Sequence, residues 1–307
     1  MSFAKSFLLR ASRSPWLARQ MRERAFVRRA VRRFMPGEAL EDAMRAASEF
    51  APAGIGTILT ELGEQVETLD EARAVRDHYL GVLDQIKSRG IPAQVSVKLS
   101  HLGLDQDPAQ CLAFVQALAE RAEARKSFLW IDMEESWYVD RTLEMYRKVR
   151  ADHVNVGVAL QTYLRRTPKD VDALLAIGPA IRLVKGAYNE PADVALPRKA
   201  DVDAQYFTLA TKLLDAAKAA RARPTFGTHD LPLIGRIQAE AERRGVARDL
   251  VEFAMLYGIR APEQRAIAKA GWRMRVLVSY GSAWFAWYMR RLAERPANVW
   301  FVVRSLF

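Results

Sequence analysis

Eight short β-rich runs alternate with eight longer helical patterns along most of this chain, and that alternation limits the fold more than any other feature. The β-rich runs lie at 54–62, 94–100, 127–133, 154–161, 180–186, 224–229, 251–257 and 273–279. The helical segments, rich in Ala, Leu, Glu and Arg, lie at 70–88, 108–125, 137–150, 168–177, 201–221, 231–244, 262–270 and 282–294. A strand followed by a helix and another strand pairs in parallel, because the helix carries the chain back to the same end of the sheet. Eight such units, with no insertion large enough for a second domain, predict an α/β fold: a closed (βα)8 TIM-type barrel rather than an open sheet. Residues 1–45 read as an N-terminal basic helical arm and 46–307 as the barrel. Asp107-Pro108 and Thr167-Pro168 read as helix starts, each a polar N-cap followed by proline at the first helical position.

Composition removes several alternatives. Half the residues are hydrophobic and 27% are charged, which suits a large ordered core. No apolar run reaches the roughly 18 residues that a membrane-spanning helix needs. The single cysteine, Cys111, cannot close a disulfide within the chain or build a multi-cysteine metal site, and it fits a reducing, cytoplasmic compartment. His78, His101, His153 and His229 are scattered without ligand spacing, so no metal centre is expected. There is no phosphate loop, and the one start of a GxGxxG pattern, at Gly54 and Gly56, fails at Leu59, which disfavours a nicotinamide enzyme of Rossmann type.

The net charge of +11 is concentrated at one end. Residues 1–33 hold ten bases against the single acid Glu23, a surplus of nine that leaves only two for the rest of the chain. A solvated basic helix packed by its apolar stripe is the simplest account. Phe3, Phe7, Leu8, Trp16 and Leu17 among the bases also suit reversible contact with an anionic membrane face. Transit-peptide composition and nucleic-acid binding are further, weaker readings, and the lack of an uninterrupted apolar core disfavours export.

In a barrel of this kind, chemistry gathers at the C-terminal ends of the strands. The polar residues fall there: Lys98 after the second run, Asp132 after the third, Gln161 ending the fourth. Arg182, Lys185 and Tyr188 sit on and beyond the fifth, and Thr228-His229-Asp230 ends the sixth. Strand parity turns Val95, Val97 and Leu99 outward with Leu129, Ile131 and Met133, and turns Ser96, Lys98, Ser100, Trp130, Asp132 and Glu134 inward. Lys98 and Asp132 are then close enough to pair, either to orient the lysine towards an anionic group or as a structural ion pair. In the final helix, Trp287, Arg290, Arg291 and Glu294 share one stripe, an arrangement suited to bidentate capture of a carboxylate beneath an aromatic lid, or to an exposed Glu–Arg face.

These motifs resemble the proline dehydrogenase family, in its monofunctional bacterial form, from about residue 7 to the end. The resemblance rests on VSVKLSHLGLD (95–105), WIDMEES (130–136), VALQTYLRRT (158–167), RLVKGAY (182–188), THD (228–230), EFAMLYG (252–258) and YMRRLAERPANVWFV (288–302), in this order. It implies a distorted (βα)8 barrel holding noncovalent FAD. The implied reaction is oxidation of L-proline to 1-pyrroline-5-carboxylate by hydride transfer from C5 to flavin N5. The implied partners are a quinone-type electron acceptor and a separate downstream pyrroline-5-carboxylate dehydrogenase. By the same resemblance, Lys98, Arg290 and Arg291 match the residues that pair with the substrate carboxylate, Asp132 the aspartate that orients the lysine, and Tyr188 a tyrosine near the substrate. Arg182 matches the arginine near N5 and Gln161 the glutamine near the isoalloxazine. Lys185, Thr228, His229 and Glu294 match contacts to the rest of the cofactor, with Gly186 and Ala187 in the same block.

Two positions depart from the family pattern. Leu277 stands where many relatives have tyrosine in the eighth strand, and Trp287 where the last helix usually has tyrosine three residues before the arginine pair. Both flank the expected substrate ring, so a substituted proline or another cyclic amino acid is an alternative substrate. The rivals from other classes are a Schiff-base aldolase using Lys98 or Lys185, and a noncatalytic adaptor binding through the basic arm.

Overall fold

The computed structural model describes residues 31–63 and 65–293. Its eight strands are β1 (Gly56–Glu61), β2 (Ala93–Val97), β3 (Leu129–Ile131), β4 (Val156–Gln161), β5 (Ala180–Val184), β6 (Arg223–Gly227), β7 (Glu252–Leu256) and β8 (Arg273–Tyr280). They close a barrel in sequence order, every pairing parallel, with the seam formed by Gly56–Glu61 of β1 against Arg275–Tyr280 of β8. All eight expected strands are present. Most are trimmed at their ends, the third most of all, because the backbone beyond Ile131 leaves the ladder to form the mouth.

Among the described residues, α1 (Leu40–Phe50) leads into the barrel. The others are α2 (Leu69–Ser88), α3 (Pro108–Ala124), α4 (Val139–Asp152), α5 (Thr167–Leu174), α6 (Lys199–Lys218), α7 (Leu231–Arg243), α8 (Ala261–Lys269) and α9 (Trp284–Ala293). The expected division at 45/46 falls within α1, whose buried Ala43, Met44, Ala46 and Ala47 join the main core against β1 and β8. Residues 1–30 of the expected arm lie outside the described residues.

Local chemistry accounts for the helix starts. Thr68 caps α2 with a reciprocal Glu71 contact, and the Asp107 carboxylate accepts from the Ala109 and Gln110 amides at 2.9 and 3.1 Å, as its place before Pro108 predicts. Thr167 is different. It lies inside the first turn of α5 with Arg166 at the cap, and its hydroxyl donates to the Gln161 carbonyl at 2.6 Å. The carbonyl that ends β4 offers a closer acceptor than the amides of the turn, so the threonine ties helix to strand instead of capping.

Parity holds as expected. Val95, Val97, Leu99, Leu129, Ile131 and Met133 are buried in the cluster shared with the outer helices. A separate inner cluster contains Ile58, Phe128, Trp130 and Ala180, with Leu277 packed on it. Charges stack on these inner aromatics. Arg223 lies over Phe128 at 4.2 Å, the rings of Phe128 and Trp130 are 5.0 Å apart, and Arg182 lies over Trp130 at 5.1 Å. The Trp130 indole N–H donates to Gln94 at 2.7 Å.

Gly157, paired with Trp130 across β3 and β4, leaves the space the indole fills; a Cβ there would lie 2.5 Å from Trp130 Cζ3. Gly157→Val is therefore expected to destabilise the protein by about 1–3 kcal/mol through overpacking. Denaturant unfolding measures this, and an unchanged midpoint would show that the ring does not fill that space.

Candidate active site

The C-terminal ends of the strands bring together most of the residues singled out above. Arg182, from the middle of β5, is 3% exposed and points inward. Its Nη2 donates to Asp132 and, at 3.0 Å, to the Ser96 hydroxyl, which itself donates to Asp132 at 2.9 Å. Three strands thus meet in one buried triangle. Burial lowers the Arg182 pKa from its usual value, while the charges of Asp132 and Glu252 hold it up. Sequence reasoning pointed Asp132 at Lys98 and missed this arginine partner; Lys98 itself is half-buried one residue beyond β2.

Lys185 follows β5 directly and donates to Asp203 at 2.5 Å and to Asp230 at 2.7 Å. Lys199 joins the same two carboxylates. Partial burial raises the Asp230 pKa. The hydrogen bond and charge of Lys185, the Leu233 amide and Lys199 outweigh it and bring the value down to about 2. Asp230 also caps α7, accepting from Leu233 at 3.3 Å. The His229 Nε2 accepts from the Leu256 amide at 2.9 Å; since an amide nitrogen can only donate, the ring is neutral there, with its proton on Nδ1. Thr228 is buried, and its hydroxyl accepts from the Asp230 amide at 3.2 Å.

Gly186 has φ +114°, and a side chain there would run into the Tyr163 ring. The missing side chain lets the Tyr163 ring pack directly against the Gly186 backbone. Tyr188 follows, half-buried. Two buried glutamates stitch the surrounding loops together. Glu134, which strand parity turns inward, accepts from the Ser100 amide and hydroxyl at 3.1 and 2.5 Å, and Glu190, which no motif flags, accepts from the Ser136 amide and hydroxyl at 2.7 Å each. Their serine partners lie far away in sequence, so no local pattern marks the pairings.

The buried polar atoms without a hydrogen-bond partner among the described residues include Gln161 Oε1, Arg182 Nη1 and Ser279 Oγ. Gln161 ends β4, with its amide nitrogen donating to the Met133 carbonyl at 3.3 Å, and Ser279 shares the inward set of β8 with Leu277. Buried polar groups are nearly always satisfied, so a missing acceptor partner, a missing donor partner and a hydroxyl fit a polar occupant carrying both kinds of group. On the last helix, Trp284 donates to Glu38 at 2.9 Å, Tyr288 packs against Phe34, and Trp287 is buried. The side chains of Arg290 and Arg291, and the whole of Glu294, lie outside the described residues.

Asp132→Ala is expected to cost about 3–5 kcal/mol, because it leaves the buried Arg182 charge uncompensated, and adding Arg182→Leu should restore part of the loss. Additive effects in denaturant unfolding of the double variant would disprove the pairing. Asp230 adds a pH dependence. Its folded pKa of about 2 lies below the ordinary carboxylate value near 3.9, so its contribution is complete above about pH 4 and is lost as pH falls towards 2. Asp230→Asn should flatten that part of a plot of thermal midpoint against pH, and an unchanged acid limb would contradict it.

The proline dehydrogenase family profile matches residues 43–304. Proline dehydrogenase 2 of Bacillus subtilis (strain 168) is 34% identical over 303 residues, covering 98% of this chain and 98% of its own. Proline dehydrogenase of Deinococcus radiodurans is 37% identical over 281 residues, covering 89% of each. Among solved structures, proline utilization A from Bdellovibrio bacteriovorus, inactivated by N-propargylglycine, superposes with a TM-score of 0.82 at 22% identity. That match covers 94% of this chain and 36% of the solved one, and it supports the barrel fold.

Proposed function

The chain belongs to the proline dehydrogenase family and is an oxidoreductase acting on proline; from that premise we propose that it converts L-proline to 1-pyrroline-5-carboxylate at the C-terminal mouth of the barrel, with FAD as cofactor and a quinone-type compound as electron acceptor. The observation that carries this reading is the trio of unpartnered buried atoms, Gln161 Oε1, Arg182 Nη1 and Ser279 Oγ, whose mixed donor and acceptor character suits the polar edge of an isoalloxazine. The residues that would hold the cofactor are Gln161, Arg182, Lys185, Gly186, Ala187, Thr228, His229 and Glu294. Bound there, FAD supplies a two-electron acceptor for hydride leaving C5 of the substrate.

The protein's own part is positioning and electrostatics. Arg182, pinned by Asp132 and Ser96 on the Trp130 face, keeps a fixed positive charge at the strand ends and so favours an electron-rich acceptor beside it. Lys98, Arg290 and Arg291 would pair with the substrate carboxylate, with Asp132 and Tyr188 completing the surround. A cluster of cations also disfavours protonation of the nearby ring amine, and the neutral amine is the form whose lone pair drives hydride loss. Leu277 and Trp287 would shape the ring pocket and exclude water.

The aldolase reading loses support at Lys185. Partial burial would raise Asp203 and Asp230, but the hydrogen bond and charge of Lys185 outweigh it and hold both below the usual range, so this side chain is already engaged by two carboxylates at 2.5 and 2.7 Å. The same proposal assigns residues 1–45 to a basic arm touching an anionic membrane face and 46–307 to catalysis, with the product passing to a separate dehydrogenase. Among the described residues, no helix is long and apolar enough to cross a membrane.

Anaerobic titration of the purified protein with L-proline should bleach a yellow flavin absorbance. A colourless protein that refuses added FAD would end this reading. Lys98→Ala should lower kcat/KM by about 30-fold, the equivalent of about 2 kcal/mol, without loss of flavin absorbance. Steady-state comparison of proline, hydroxyprolines and pipecolate then reads the effect of Leu277 and Trp287, and the best kcat/KM identifies the substrate.

A further inference from the structure

The opposite end of the barrel holds a charge arrangement that the proposed reaction does not use. Glu252, the first residue of β7, is buried, and its Oε2 faces three arginines: Arg275 at 2.7 Å, Arg273 at 3.5 Å and Arg223 at 3.8 Å. Its Oε1 accepts from Thr225 at 3.0 Å. Burial alone would raise the Glu252 pKa, yet the three guanidinium groups hold it below the usual carboxylate value. The excess falls on the arginines. Arg223 is pushed down from its ordinary value by burial and by repulsion from Arg273 and Arg275, and its buried Nε has no hydrogen-bond partner.

These three arginines line a cavity of about 480 Å³ together with Lys87, Arg125 and Lys126, and no carboxylate lines it. Arg125 shares Asp84 with Arg121, at 2.7 and 2.5 Å, so the six cations of the lining are only partly balanced by Asp84 and Glu252. Lys87, in the last turn of α2, and Lys126, on the turn before β3, are both exposed. Phe128 forms part of the wall, but Arg223 already covers its ring. No aromatic face described there is left open to stack a nucleobase.

We propose that this recess at the N-terminal mouth binds a compact polyanion bearing two or more phosphate groups, either a free oligophosphate or the phosphorylated headgroup of an anionic lipid. The volume lies within the usual range for small-ligand pockets. The guanidinium groups from β6 and β8 offer fork-like donors suited to phosphate oxygens, and the two lysines at the rim offer compact charges that a diffusing anion meets first. A single phosphate would leave most of the surplus unmatched, so affinity should rise steeply from phosphate to tripolyphosphate.

The test uses the full chain at about 0.15 M salt, with inorganic phosphate and tripolyphosphate as soluble probes followed by calorimetry. Vesicles of phosphatidylcholine with and without phosphatidylinositol bisphosphate are the lipid probe, followed by sedimentation. The variant Lys87→Ala/Lys126→Asn removes the rim charges; asparagine at 126 tolerates the φ of +56° found there. Its activity towards proline and its thermal midpoint should equal those of the parent. Saturable tripolyphosphate binding that weakens at least tenfold in the variant supports the site with a soluble ligand. Vesicle binding that needs the phosphorylated lipid and is lost in the variant supports it with a lipid headgroup. Absence of both, or binding that the variant leaves unchanged, overturns the proposal, and the Glu252 cluster is then a purely structural ion network.

Discussion

Eight strands closing on themselves leave an axis too narrow for bulk solvent, so every charge turned inward must find a partner from another strand or an aromatic face to lie against. Here the axis is filled by a stack that runs most of its length: Arg223 over Phe128, Phe128 against Trp130, Arg182 over Trp130, and Asp132 beyond Arg182. Each ring offers a guanidinium its partly negative face, and Gly157 supplies the room that the larger ring needs. The position of Arg182 at the strand ends therefore rests on packing well below it. A change that tilts Trp130 would move the charge at the mouth without touching any residue there.

Much of this architecture was legible in the sequence because a strand has a period of two and a barrel has an inside. Alternation in 94–100 and 127–133 separated Val97 and Ile131 from Ser96, Trp130 and Asp132 correctly, and the Asp107 cap followed from its place before Pro108. Pairing was less legible. Parity turned Asp132 and Lys98 to the same interior, but that Asp132 also meets Arg182, 50 residues on, depends on the stagger between strands, and no local signal reports that stagger. The same reason hid the carboxylates around Lys185: Asp203 sits on α6 and Asp230 caps α7, and only the closed barrel brings them to one lysine. Thr167 misled because a hydroxyl before proline usually caps, whereas here a strand-end carbonyl is nearer.

The lower cluster did leave a trace, in Arg273 and Arg275 two apart on one strand and in the charged residues that open β6 and β7. The fold rule points to the other end, where loops follow the strands, so these charges carry no functional signal in the sequence alone.

The two ends handle positive charge differently. At the C-terminal mouth, Asp132 answers Arg182, and Asp203 and Asp230 answer Lys185, so these cations are held in place by carboxylates of the chain itself. At the N-terminal mouth, one carboxylate is shared among three arginines, with one oxygen already engaged by Thr225, and Arg223 keeps a buried donor without a partner. Arg273 donates to the Asp249 carbonyl at 3.4 Å, yet a neutral residue at this exposed position would relieve repulsion while leaving the close Arg275–Glu252 pair intact. On the proposal made for this recess, the surplus is balanced from outside the chain, by separate small ions or by one ligand carrying several charges. In a recess walled on several sides the single ligand has the advantage, because fixing one body costs less freedom of motion than fixing several ions independently.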